Sequence, residues 1–80
     1  MRLPRNVSGA DLIKGLRVFG YQISRQTGSH IRLTTSENGA HHVTIPNHSQ
    51  IRVGTLAAIL DDIANHLGIN RQELLSKINL

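Results

Sequence analysis

Residues 21–46, YQISRQTGSHIRLTTSENGAHHVTIP, alternate apolar and polar side chains in three short runs. Tyr21 and Ile23 mark the first run, Ile31 and Leu33 the second, Val43 and Ile45 the third. A period of two sends successive side chains to opposite faces, so each run predicts a half-buried strand. Thr27-Gly28-Ser29 makes the first turn, and Asn38-Gly39 sits in the second. A two-residue Asn-Gly turn would set Leu33 opposite Thr44, mixing an apolar and a polar side chain on one face, which the side-chain period forbids. A three-residue loop with Gly39 left-handed instead pairs Leu33 with Val43 and Ile31 with Ile45. The outer face is then Gln22, Ser24, Gln26, His30, Arg32, Thr34, His42 and Thr44, all of them polar.

Helices flank the three strands. Ser8 with Asp11 reads as a capping box, and Val7 with Leu12 as the hydrophobic staple beside it. Leu12, Ile13, Leu16 and Phe19 recur at helical spacing before Gly20 supplies a stop, with Lys14 and Arg17 on the wet side. After Pro46 a polar connector leads to a second helix with a buried stripe of Leu56, Ile59, Leu60, Ile63 and Leu67, closed by Gly68. Asn70 with Glu73 caps a short third helix, with Ile69 and Leu74 as its staple and Leu74, Leu75 and Ile78 facing in. Helices must cover the one apolar face of the sheet, so the expected architecture is a two-layer α+β domain, αβββα with an additional C-terminal helix. One domain over residues 1–80 is expected, its core at about 7–68 and its terminal helix at about 71–79.

Composition narrows the function classes. The 80 residues include no cysteine, which excludes disulfides, thiolate zinc sites and cysteine nucleophiles. No apolar run approaches the ~18 residues of a membrane span, and the N-terminal stretch lacks a signal-peptide core. A cytoplasmic protein with no membrane partner is the expectation. One Tyr and one Phe are too few for a base-stacking platform. The net charge is +4, pointing to an anionic partner, most often nucleic acid. Residues 1–55 hold seven basic groups against Asp11 and Glu37, whereas residues 56–80 hold Arg71 and Lys77 against three carboxylates. Seven of the nine basic residues are arginine, whose forked donors suit phosphate.

The run SGADLIKGLRVFGYQISRQTGSHIRL, followed by VTIPNH and GTLAAIL, resembles the HicA family of mRNA interferase toxins. The motifs that carry the resemblance are a Gly-Ser-His after the first strand, a Pro-x-His after the third and a Gly-Thr-Leu opening the second helix. They lie within a match from about Leu3 to Leu75. The resemblance implies a fold similar to the double-stranded-RNA-binding domain and a toxin that cleaves RNA until a HicB-type antitoxin holds it inactive. It implies that His30, in the Gly-Ser-His, is the catalytic histidine, and it matches Pro46, His48, Gly54, Thr55 and Leu56 to further family positions. The second helix departs from the pattern: it is about one turn longer than in shorter members. It also carries Ala57, Ala58, Asp61 and Asp62 where more basic members place Lys or Arg. Phosphate contacts then fall to Arg5, Lys14, Arg17, Arg25, Arg32 and Arg52.

RNA carries its own nucleophile, the 2′-hydroxyl, so scission needs a base, an acid and charge relief at phosphorus. A histidine titrating near 6.5 serves as either, typically for about 10²–10⁴-fold. His30 stands beside the backbone amides of Gly28 and Ser29 and two residues from Arg32 on the same face, where amides and guanidinium can hold a phosphate. His48 is a second acid/base candidate. No cofactor or metal is required. His41 and His42 are adjacent on a strand and point to opposite faces, whereas Asp62 and His66 have helical chelate spacing, which is more often that of a surface pair. A different class of function also fits: AILDDIANHLGINRQELL has helix-turn-helix spacing, with Arg71 and Gln72 opening a reading helix for DNA. The negative charge of that segment opposes it.

Overall fold

The computed structural model describes residues 3–78 and 80. Helix α1 spans Gly9–Leu16 and continues through a 3-10 turn, Arg17–Phe19. It begins where the capping box predicts. The Asp11 amide donates to Ser8 Oγ at 3.0 Å, and the Ser8 amide donates to Asp11 Oδ2 at 3.3 Å. Val7 and Leu12 are both buried beside that cap. Gly9 makes the close approach here, since a Cβ on it would collide with the Pro46 carbonyl. At the other end Gly20 adopts φ 80°, and Tyr21 enters the core fully buried.

Strands β1 (Gln22–Thr27), β2 (His30–Thr35) and β3 (His41–Pro46) form one antiparallel sheet in the order β1-β2-β3. The predicted pairing of β2 with β3 is observed: Leu33 faces Val43 and Ile31 faces Ile45. The connecting loop uses two left-handed residues, Asn38 as well as Gly39. Helix α2 (Val53–Leu67) buries Leu56, Leu60, Ile63 and Ala64, with Ile59 and Leu67 packed at the margin. Gly68 closes it at φ 71°. Helix α3 (Arg71–Ile78) starts with the Glu73 amide donating to Asn70 Oδ1 at 2.7 Å and buries Leu74 and Ile78. Asn79, the expected last residue of that helix, lies outside the described residues. Leu12, Leu16, Leu33, Ile45, Leu60, Ile63 and Leu74 meet at zero exposure, so the sheet's inner face and the helices share one core.

Strand β1 departs from the sequence reading. Ile23 pairs with Leu33, but the next pair is Arg25 with Arg32, leaving Ser24 as a bulge. The two-residue Gly28-Ser29 turn sets the register at one end, and the inward Ile23–Leu33 pair sets it at the other. The two settings differ by one residue, and the bulge absorbs the difference. From that point the strand's phase is inverted: Arg25 and Thr27 share the outer face with Arg32 and His30. Gln26, expected outside, pairs with Ile31 instead. Ile23 is also more open than expected, at 49% exposure. Helices α1 and α2 pack on β3, and no β1 residue is buried, so the edge strand extends past its cover.

Candidate active site on the outer sheet face

His30 opens β2, the central strand, directly between Thr27 of β1 and Pro46 of β3. Its ring is exposed. The turn before it depends on Gly28, whose φ of 55° suits glycine at the first central position of a two-residue hairpin turn. The Ser29 carbonyl accepts from the Asn47 amide at 2.7 Å, tying that turn to the chain leaving β3. Arg25, Thr27, His30, Arg32 and Thr44 together line an open depression of about 220 Å³.

Arg25 and Arg32 stand opposite one another across the strand pair. Like charges in that relation repel, and neither guanidinium has an ion-pair partner among the described residues. The bulge that brings Arg25 here is held by Ser24, whose hydroxyl lies 2.8 Å from Thr34 Oγ1 and donates to the Arg32 carbonyl at 3.3 Å. The depression therefore presents two forked cations, two hydroxyls and an imidazole, an arrangement complementary to a phosphate group.

The other sequence-derived candidates lie apart from this depression. Lys14 lines a separate hollow with Arg5 and Lys77. Arg17 lines another, with Tyr21, Gln22 and Ile23 at the β1 edge. Arg52 is the exposed N-cap of α2. His48 is exposed in the loop after β3, and its carbonyl accepts from the Gly9 amide at 2.9 Å, closing the N-terminus of α1. Gly28 and Ser29 flank His30 as expected. Thr27 and Thr44 were not singled out in the sequence; counting residues back from a two-residue turn would have found Thr27.

A second polar cluster occupies the opposite end of the strands. The Tyr21 hydroxyl sits 2.8 Å from His41 Nδ1, and His41 Nε2 sits 3.3 Å from Asp62 Oδ1. The His66 ring stacks on His41 with centroids 4.3 Å apart, and its Nε2 donates to the Glu37 and Gly39 carbonyls. Burial, reinforced by the Asp62 and Glu37 charges, pushes the Tyr21 hydroxyl up to about 12. Asp62 and His66 thus face different partners, and no group of three or more potential metal ligands forms among the described residues.

The helix-turn-helix reading loses its key residue. Arg71 is committed to Asp61, through Nε to Oδ1 at 2.8 Å and Nη2 to Oδ2 at 2.6 Å. Helix α3 seals the core with Leu74 and Ile78, and its exposed side carries the carboxylate Glu73 beside Gln72, Ser76 and Lys77.

Residues 9–64 match the family model described as the HicA toxin of bacterial toxin-antitoxin. No curated protein and no solved structure matches the chain. None of the described helices is long and apolar enough to cross a membrane.

Proposed function

The chain belongs to the HicA toxin family, a toxin of a toxin–antitoxin system with a cognate antitoxin as partner, and on that premise we propose that it is a metal-independent RNA endonuclease acting on mRNA. The observation that supports this reading is the exposed His30 beside two arginines that have no carboxylate partner among the described residues. His30 accepts the 2′-hydroxyl proton as general base. The 2′-oxygen attacks phosphorus, the P–O5′ bond breaks, and a protonated group returns a proton to the leaving 5′-oxygen. Arg25 and Arg32 offset the charge that accumulates on the nonbridging oxygens. Thr27 and Thr44 donate to the same oxygens, and the Gly28-Ser29 amides border the site. The products are a 2′,3′-cyclic phosphate and a 5′-hydroxyl. The second proton transfer falls to a group outside the depression, for which His48 in the loop after β3 is the candidate. Arg17 and Arg52 contribute phosphate contacts along the flanking RNA, whereas Lys14 lies in the separate hollow on the helical layer. A HicB-type antitoxin inhibits by covering His30.

The test is a gel of labelled RNA and its deoxy analogue with wild-type and His30→Ala protein, beside thermal melts. Cleavage should survive EDTA, spare DNA and fall about 10²–10⁴-fold in the variant. The fold should survive within about 0.5 kcal/mol, because the side chain is exposed. Full cleavage by folded His30→Ala protein refutes the assignment.

A further inference from the structure

A hollow of about 510 Å³ lies on the helical layer, between α1, the segment preceding it and α3. Its charged side chains are Arg5, Lys14 and Lys77 against one acidic side chain, Asp11, which already accepts from the Ser8 amide, and Leu80 lines it as well. None of the three cations has an ion-pair partner among the described residues. Apolar surface runs between them: Val7 and Ile78 lie at the floor, and Val18 at the rim is 60% exposed, more than any other large hydrophobic residue described. No histidine and no aromatic ring lines it. Gly15 sets how close α1 comes to α3, since a Cβ there would stand 2.8 Å from the Ile78 carbonyl oxygen.

We propose that this hollow docks an acidic amphipathic segment of the cognate antitoxin, which covers Val18 with aliphatic side chains and pairs carboxylates with Arg5, Lys14 and Lys77. Charge complementarity carries the choice of occupant. Three cations around an apolar floor match a segment with carboxylates on the edges of an aliphatic stripe, as in helix-in-groove recognition. A single RNA strand would satisfy the charges but leave Val18 uncovered, with no ring on which a base could stack. Docking here leaves the His30 depression to a separate part of the antitoxin. The inference needs the partner's existence, which family membership supplies, and not the catalytic assignment of His30, so the two can fail separately.

The test uses the full-length chain labelled with ¹⁵N and titrated with a short Leu/Glu amphipathic peptide, its Gln-for-Glu counterpart and a single-stranded RNA oligonucleotide. The acidic peptide should move the amides of Gly15, Val18 and Lys77. Val18→Asp and Lys77→Glu should each weaken it about tenfold, a loss of about 1.4 kcal/mol. Both side chains are exposed, so both variants should melt like wild type, and both should retain the cleavage activity of the free protein. In the co-purified toxin–antitoxin complex, the same amides should gain hydrogen-exchange protection. Equal binding of the Gln peptide, unchanged affinity in both variants, or open amides in the complex overturns the proposal. RNA moving these amides in place of the acidic peptide overturns it too, and assigns the hollow to nucleic acid.

Discussion

Replacing Arg25 or Arg32 with glutamine should stabilise the free protein while weakening its hold on RNA. The two guanidiniums face one another across β1 and β2 with no carboxylate between them. Cross-strand pairs on an exposed face are worth about 0.2–1 kcal/mol, and a like-charged pair carries that energy with the unfavourable sign. For a domain of this size, relieving it should raise Tm by about 1–8 °C. The gain should be largest at low ionic strength and fade near 1 M salt, where the screening length falls to about 3 Å. Inorganic phosphate should stabilise wild type and do less for either variant, because it bridges the two cations. Against single-stranded RNA, each lost contact should reduce the salt slope of log K by about 0.7. The assays are thermal melts across a salt and phosphate series, and filter binding at several salt concentrations. A variant that melts below wild type at every salt concentration, or that keeps the full phosphate response, refutes the view that these arginines are poised for an anion.

Ser8→Ala should cost about 1 kcal/mol, read as a drop in Tm, because it deletes the hydroxyl that accepts from Asp11. The hydrogen bond from Arg71 holds the Asp61 carboxyl below its ordinary 3.8, so the stability it contributes is present above that value and lost as pH falls through the lowered one. The Tm gap between wild type and Asp61→Asn should therefore close in acid, and a gap that persists at the acid end contradicts the linkage. Deleting Ser24 should leave a folded hairpin that still binds RNA, since Ile23–Leu33 and Arg25–Arg32 keep their pairing on either side of the bulge. Loss of RNA binding by a folded deletion variant would show that the bulge itself aims Arg25.

What could be read from the sequence is what neighbouring residues determine among themselves. The Ser8 cap, the Leu56–Leu60–Ile63 stripe and the β2–β3 register each follow from a local period plus one turn or cap, and all three are found as expected. The bulge at Ser24 escaped because it settles a conflict between two constraints at opposite ends of β1, and alternation within the strand carries no sign of an inserted residue. The openness of Ile23 escaped for a related reason: its pattern predicts an inward face, while only the tertiary arrangement decides how far the helices reach across the sheet. The stack of His41 on His66 joins β3 to α2, which no spacing rule connects. Charge misled most. The sequence groups Lys14, Arg17, Arg25, Arg32 and Arg52 within one basic stretch of chain, yet in the structure they divide among the outer sheet face, two hollows elsewhere and a helix cap. A summed charge records that anions are attracted but not to which surface. The chemistry proposed for His30 draws at the scissile phosphate on the two arginines beside it, which leaves the cations of the helical layer available to a different acidic partner.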